Sequence, residues 1–384
     1  MTLRVLHTSD WHAGKTLFKQ DRLPDLSYAL EQMLDIIEHR AIDVLVIAGD
    51  LYDTFHPPSQ AIEVLNDFFL QLHQRHVPVV MISGNHDSTR LWKSMRDILQ
   101  LASVHVFDRL QRNAHHVLTV KGQRLCITGL PYPSERQLVR LSADHETLAH
   151  QRQHYAEKVA GVMRLLTASR PEADHYLLCA HLMLSGAEPG HSERALSIAD
   201  TFAIQPQHLP EDYHYIALGH IHKRQQVKHA PVPAWYCGTP YQIDFGEAGA
   251  EKGVQWIELT PGKTPVVHFE PLELLHPLAM ITCHEDDLDQ VYTEWKDTHH
   301  YLKLRVQVKA PRKGLVDDLR EKLGKNLLHV ELKLPAKETV ASQYQALQLD
   351  APIDVYRAYC QSQNLELPEA LEQTFYELWE SVQS

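Results

Sequence analysis

Val44-Leu45-Val46-Ile47-Ala48-Gly49-Asp50 is an apolar run that stops on a glycine and a carboxylate. The chain repeats this device. Leu3–Leu6 leads into Asp10-Trp11-His12, and Val79–Ile82 into Gly84-Asn85-His86-Asp87. Tyr176–Ala180 leads into His181, and Tyr215–Leu218 into Gly219-His220-Ile221-His222. Each run has the length and β-branched content of a buried strand. Polar residues at the carboxyl ends of strands in one sheet converge on one crevice, where α/β proteins place their chemistry. The fold class is α/β.

Asp10, His12, Asp50, Asn85, His181, His220 and His222 stand at these strand ends. Side chains alternate along a strand, so Asp10 and His12 are expected to point alike, as are His220 and His222. Imidazole, carboxylate and amide donors without thiolate suit Mn, Fe or Zn better than an iron–sulfur cluster. The set is too large for one tetrahedral zinc but suits two ions bridged by a carboxylate. Asp50, behind a glycine that clears room, is the expected bridge. With 27 histidines in 384 residues, roughly two H-x-H patterns arise by chance, so that motif alone says little. The ordered set of five motifs says more.

D-x-H, G-D, G-N-H-D, a lone H and G-H-x-H, in that order, resemble the calcineurin-like metallophosphoesterase superfamily. Thr8-Ser9-Asp10-Trp11-His12, Ala48-Gly49-Asp50-Leu51-Tyr52-Asp53-Thr54, Gly129-Leu130-Pro131-Tyr132, Ser192-Glu193-Arg194 and Tyr236-Cys237-Gly238-Thr239-Pro240 resemble its bacterial SbcD nuclease branch. The likeness covers residues 1–270 closely and the remainder by layout. It implies a layered αββα sandwich over 1–272, a small α/β capping domain over 273–337, and a helical ATPase-binding segment over 338–384.

The resemblance also implies a manganese-dependent nuclease. Asp10, His12 and His222 would complete one ion's shell, and Asn85, His181 and His220 the other's, with Asp50 shared. His86 would act on the reacting phosphate, stabilising the transition state or protonating the leaving 3′-oxygen, and Asp87 would orient its imidazole. The implied substrates are duplex DNA ends, cut from the 3′ side, and single strands or hairpins. The implied partner is a coiled-coil ATPase, SbcC, in a heterotetramer built on a homodimer. Archaeal and eukaryotic relatives carry a histidine where Asp53 stands, so catalytic help from that position is in question.

Two rival functions share this motif set. A protein phosphatase would carry Asp-Arg-Gly after G-D and end the later motif in Glu, whereas this chain has Asp53-Thr54 and Asp87. A small-substrate phosphodiesterase needs neither cap nor terminal helices. A non-catalytic adaptor would not need every ligand position intact.

Net charge is −12, which weighs against a stand-alone DNA binder and fits a subunit that leans on a partner to hold substrate. Cys126, Cys179, Cys237, Cys283 and Cys360 are scattered and odd in number, as buried free thiols in a reducing cytoplasm would be. No stretch approaches the roughly eighteen apolar residues of a membrane span. The first residues enter a strand without a leader, so no secretory signal is expected and the location is the cytoplasm, at the nucleoid.

Leu26, Leu30, Met33 and Ile37 form one helical stripe, and Ile62, Leu65, Phe69 and Leu72 another. Residues 134–170 are polar and helix-prone, an expected excursion over the surface. In the cap, a helix carries Leu288, Val291 or Tyr292, and Trp295, and a second carries Leu315, Leu319 and Leu323. Leu302, Leu304, Val306 and Val308 alternate with Lys303, Arg305, Gln307 and Lys309, and Leu328, Val330, Leu332 and Leu334 repeat the alternation. The basic row is either a solvated face or a phosphate contact. At the end, Ile353, Tyr356 and Cys360 mark one helix, and Leu371, Phe375, Leu378 and Val382 another after Pro368. These stripes cover either their own core or the ATPase partner.

Overall fold

A computed structural model describes residues 1–134, 138, 148–190, 203–334 and 371. Met1–Val306 with Arg312–Leu332 form one compact unit, and Gln307–Pro311 with Lys333–Ser384 a second. The expected C-terminal helices lie outside the described residues, apart from the exposed Leu371, as does Ser192-Glu193-Arg194.

Two six-stranded sheets make the body. The first runs, edge to edge, Val266–Pro271, Gly253–Leu259, Leu3–Thr8, Val44–Ile47, Val79–Ile82 and Val104–Phe107. Its last four strands are parallel, and Gly253–Leu259 joins Leu3–Thr8 antiparallel with Val5 opposite Ile257. The second runs Gln225–Gln226, Ala234–Tyr236, Tyr215–Gly219, His175–His181, Gln123–Leu130 and His115–Val120, parallel in the middle and antiparallel at both edges.

Parallel strands covered on both faces need no polar side, which is why Val44–Ile47 and Val79–Ile82 are apolar and buried throughout. Alternation divides them between two cores. Val44, Val46, Val80 and Ile82 join Ile127, Leu177, Cys179 and Ala217 of the second sheet. Leu45, Ile47, Val79 and Met81 join the helices Leu23–His39, Ser59–Gln74 and Thr89–Leu101. Both helical stripes expected from the 3.6-residue period face that core, with Ile62 only partly buried.

Of the helix-prone excursion expected over 134–170, residues 135–137 and 139–147 lie outside the described residues; most of the rest is helical, and its course over the surface is corrected. Leu148–Ala168 is a helix whose Tyr155, Val159, Met163 and Leu166 pack into the core of the second sheet. Their spacing makes one apolar face within a polar stretch, and the sheet's outer surface has to be covered. The layers are therefore helix, sheet, sheet, helix.

The residues expected to form the cap hold a three-stranded sheet, Leu278–His284, Tyr301–Gln307 and Leu327–Lys333 in that order, with helices Leu288–Trp295 and Leu315–Leu323. Leu302, Leu304, Val306, Leu315, Leu319 and Leu323 are buried as their periods require. The second expected alternation is weaker: Leu327 is buried, Leu328, Val330 and Leu332 are half-buried, and Leu334 is exposed. That strand is an edge, open on one side. In the basic row, Arg305 Nε pairs with Glu331 at 3.0 Å.

Cap and body meet over Leu17, Phe245, Leu278 and Tyr301. Beside them lies an enclosed charge cluster. Arg22 Nη2 reaches Asp25 Oδ1 at 3.0 Å, and His276 brings its backbone N–H to the same oxygen at 3.1 Å. The Arg22 guanidinium lies 5.1 Å from the Tyr301 ring and 5.7 Å from that of Tyr241. Among the described residues no helix is long and apolar enough to cross a membrane.

Candidate metal centre

The strand Leu3–Thr8 stops before the residues that matter. Beyond it φ is positive at Asp10 (54°) and His12 (46°), and likewise at Asp50 (51°) and His220 (101°). Left-handed backbone at non-glycine residues costs on the order of 1–3 kcal/mol each and persists only where surroundings enforce it. The expectation that plain strand alternation aims Asp10 with His12, and His220 with His222, is corrected: alternation holds only while the backbone stays extended. Here crossed backbone bonds do the aiming. Asp10 N–H donates to Gly49 O at 2.9 Å, His12 N–H to Asp50 O at 3.0 Å, and His220 N–H to Asp10 Oδ1 at 3.0 Å.

Two glycines make the approach feasible. Gly49 has φ 93°, and a Cβ there would strike the His181 ring; a Cβ on Gly219 would run into the Ala48 carbonyl. No side chain fits between these strand ends.

All seven sequence-predicted ligands come together. Asp10, His12 and His222 each place one donor atom within 4.8 Å of the others, and so do Asp10, Asp50 and His181. His12 Nε2 and His222 Nε2 face one another at 3.1 Å. Asn85 Oδ1 lies 3.1 Å from His181 Nε2 and 2.9 Å from His220 Nδ1. Asp50 Oδ2 sits between the groups, 3.3 Å from His181 Nε2 and 4.0 Å from His12 Nε2.

The electrostatics call for positive charge in this pocket. Burial opposes ionisation of Asp50, yet His181, His86 and His12 together hold its carboxyl well below the usual range. Burial would lower His181, but the Asp50 and Asp10 carboxylates lift it to about 9. Buried lone-pair donors of three chemistries converging on two points around a shared carboxylate fit two divalent cations.

His86 is set by its backbone neighbours. Its amide donates to Asp50 Oδ1 at 2.8 Å, and its Nδ1 donates to the Asp53 carbonyl at 2.7 Å. Its ring stands edge-on to that of His12, centroids 4.8 Å apart. The expected role of Asp87 in orienting this imidazole is not what the geometry shows. Among the described residues, the Asp87 carboxylate takes its hydrogen bonds from the amides of Gly84, Tyr52 and Leu51, at 2.9, 3.1 and 3.3 Å. Those amides would otherwise be unpaired at the base of the Asp50 loop, which is a stronger demand on a buried carboxylate. Burial, with Asp50 nearby, raises the Asp87 carboxyl to about 7.

Further neighbours surround the candidate ligands, and Glu247 and Lys252 among them escaped the sequence. Asp53 Oδ1 lies 3.2 Å from His12 Nδ1 and 3.2 Å from Lys15 Nζ. Glu247 Oε1 lies 3.6 Å from His222 Nδ1, and Lys252 Nζ is 2.8 Å from Glu247 Oε2. Lys252 also donates to the His222 carbonyl at 3.1 Å and to Thr239 Oγ1 at 2.6 Å. The Tyr132 ring stands 5.9 Å from that of His220. Glu247 and Lys252 sit in a stretch without apolar period, so nothing in the sequence marks them.

The cysteines agree with the reading as free thiols where they are described: Cys126, Cys179 and Cys237 are buried and Cys283 partly so. Burial pushes the Cys237 thiol up to about 12.

Residues 3–224 match the calcineurin-like phosphoesterase family. A curated relative, the SbcD subunit of the SbcCD nuclease of Bacillus subtilis (strain 168), is 30% identical over 312 residues, 80% of this chain and 79% of the relative. Among solved structures, a dimetal phosphatase from Danio rerio aligns at 13% identity and TM-score 0.42, over 71% of this chain and 97% of that one. Zinc-bound Vps29 from Entamoeba histolytica aligns at 10% identity and TM-score 0.27, over 71% and 100%. The chain belongs to the calcineurin-like phosphoesterase family, metal-dependent hydrolases of phosphoesters, on the branch of the SbcD nucleases.

Proposed function

We propose that this chain is the nuclease subunit of an SbcC–SbcD-type DNA-repair assembly. It would degrade duplex DNA from the 3′ side and cut single strands and hairpins, with Mn2+ as the ions and an SbcC-type coiled-coil ATPase in control. The ATPase would dock on the helical segment 338–384, two copies of this chain would pair, and the assembly would work in the cytoplasm at the nucleoid. The nuclease domain would span 1–272 and the cap 273–337. One observation carries the reading: Asp50 stands between two donor groups in a chain 30% identical to an SbcD nuclease over four-fifths of its length.

When bound, two divalent cations would neutralise charge on the phosphoryl oxygens and make water a competent nucleophile near neutral pH. The chain's own residues do the rest. His86, with Nδ1 fixed on the Asp53 carbonyl, would deliver a proton from Nε2 to the leaving 3′-oxygen. Asp87 ties the loop of Leu51 and Tyr52 to Gly84 and so fixes Asp50 relative to Asn85. No serine or cysteine nucleophile takes part, so no covalent intermediate forms.

The test is degradation of a 3′-labelled duplex and of a hairpin by the full chain, with Mn2+, with and without the ATPase. Loss of label that disappears in Asp50→Asn supports the proposal. Hydrolysis of bis(p-nitrophenyl) phosphate while both DNAs survive, even with the ATPase present, would replace it with a small-substrate phosphodiesterase.

A further inference from the structure

A charge lies buried beside the donor groups. Lys252 is 5% exposed, and its ammonium reaches three acceptors: the His222 carbonyl at 3.1 Å, Thr239 Oγ1 at 2.6 Å and Glu247 Oε2 at 2.8 Å. Burying an ammonium is costly unless each of its three donors finds a partner. One of the three goes to the main chain of a candidate ligand. The Thr239 amide donates to the same carbonyl at 3.2 Å, so both lone pairs of that oxygen are engaged. Gly238, with φ 78°, lets the loop come this close: a Cβ there would stand 2.7 Å from the His222 oxygen.

The loop that seats His222 is fastened on its far side to another element. Glu247 Oε2 also accepts the Ile243 amide at 3.1 Å. Next to it, Gln242 is buried and uses both ends of its amide, Nε2 donating to Ala250 O at 3.0 Å and Oε1 accepting the Leu278 amide at 2.7 Å. Leu278 opens the first strand of the proposed cap, and Phe245 of the same loop joins it in one apolar cluster. We infer that Lys252, Thr239 and Gln242 are positioning residues: they hold the main chain of His222 against the strand Leu278–His284, so that the placement of this ligand depends on the seating of the cap. The inference rests on the metal reading of the centre and needs neither the substrate nor the partner proposed above. Lys252 and Thr239 act on the carbonyl, and Gln242 acts through the loop that carries them; none touches a reacting atom. A seat of this kind fixes a ligand before any ion arrives, which is what a preorganised site requires.

The experiment is Mn2+ titration of the full-length chain, read by the electron paramagnetic resonance signal of free Mn2+, beside thermal melts. Lys252→Met with Glu247→Gln removes the buried pair together and leaves an acceptor for the Ile243 amide; it should weaken Mn2+ binding about 10–100-fold. Gln242→Leu, one step further out, should weaken it about 2–30-fold. Gln32→Ala is the control. Gln32 exchanges two hydrogen bonds with Glu273, at 2.8 and 3.0 Å, and so ties the stretch before the cap to the helix Leu23–His39 through groups outside the loop 238–252. It should lower the melting temperature and leave Mn2+ affinity at the wild-type value. In a His222→Ala background, Gln242→Leu should have no further effect on affinity, because the two act in series. Either loop variant decides the matter if the other fails to fold. Weakened binding that vanishes in the His222→Ala background supports the inference. Wild-type affinity in the loop variants, the same loss in Gln32→Ala, or the same loss without the His222 ring overturns it. A wild-type chain that takes up no Mn2+ would instead remove the metal reading on which it stands.

Discussion

His86 is tied to Asp50 through its backbone, the amide donating to Asp50 Oδ1 at 2.8 Å, while the other carboxylate oxygen turns toward His181 at 3.3 Å. The side chain of His86 is therefore dispensable for holding Asp50 in place. His86→Ala should keep both metals and slow turnover by about 10²–10⁴-fold. Asp50→Ala should lose metal and activity together. Elemental analysis beside a rate measurement separates the two, and a metal-poor His86→Ala would show that the ring itself helps hold the ions.

Asp87 gives a different outcome. Its removal leaves three buried amides without an acceptor, at about 1–3 kcal/mol for each unsatisfied group. Asp87→Ala should lower both thermal stability and metal affinity. A variant that keeps its melting temperature and both ions but turns over slowly would restore the role of partner to His86.

The charge cluster between body and cap should be costly to break from one side. Arg22 and Asp25 side chains are 1% and 2% exposed, so deleting either strands the other. Arg22→Met or Asp25→Leu alone should destabilise by about 3–5 kcal/mol, and the apolar pair Arg22→Met with Asp25→Leu by much less. Denaturant unfolding of all three variants closes this cycle; additive losses would mean that the two charges are not coupled.

His7 sets an acid limit. It is fully buried, 3.0 Å from the Tyr215 hydroxyl, and burial lowers its imidazole from 6.5 to about 3. The unfolded chain then takes up a proton below pH 6.5 that the folded chain refuses. Stability associated with His7 is therefore intact above 6.5 and falls as pH drops toward 3. His7→Gln should lose about 2–3 kcal/mol less than the wild type between pH 7 and 4.5. Melts of both proteins at the two pH values check this, and identical acid sensitivity would contradict it.

The candidate ligands were legible because each follows a strand whose apolar run is unmistakable, and because parallel strands must end at one rim. Val44–Ile47 followed by Asp50 says this without any structure. The orientation of Asp10 and His12 was not legible, since left-handed backbone at non-glycine residues leaves no compositional mark. Glu247 and Lys252 were missed for a related reason, and Asp53 was noted only for the histidine it replaces: all three act by contact across the fold, and no period or spacing records contact. Asp87 was visible but misassigned, because adjacency to His86 in sequence suggested a partnership that the backbone amides of a distant loop take instead. The packing face of Leu148–Ala168 lay hidden in a stretch whose average polarity outweighed its periodicity.

The antiparallel pairing of Gly253–Leu259 with Leu3–Thr8 has a consequence for biosynthesis. The strand that leads to Asp10 and His12 is translated well ahead of Gly253–Leu259, so one of its flanks stays bare until some 250 residues later the ribosome has released that neighbour. Until then the nascent chain presents an unpaired apolar edge, the kind of surface that invites intermolecular strand addition. Final closure waits on a contact of very long sequence separation, which slows folding. Truncations that stop short of Gly253 should accordingly collect in the insoluble fraction, however complete their set of ligands.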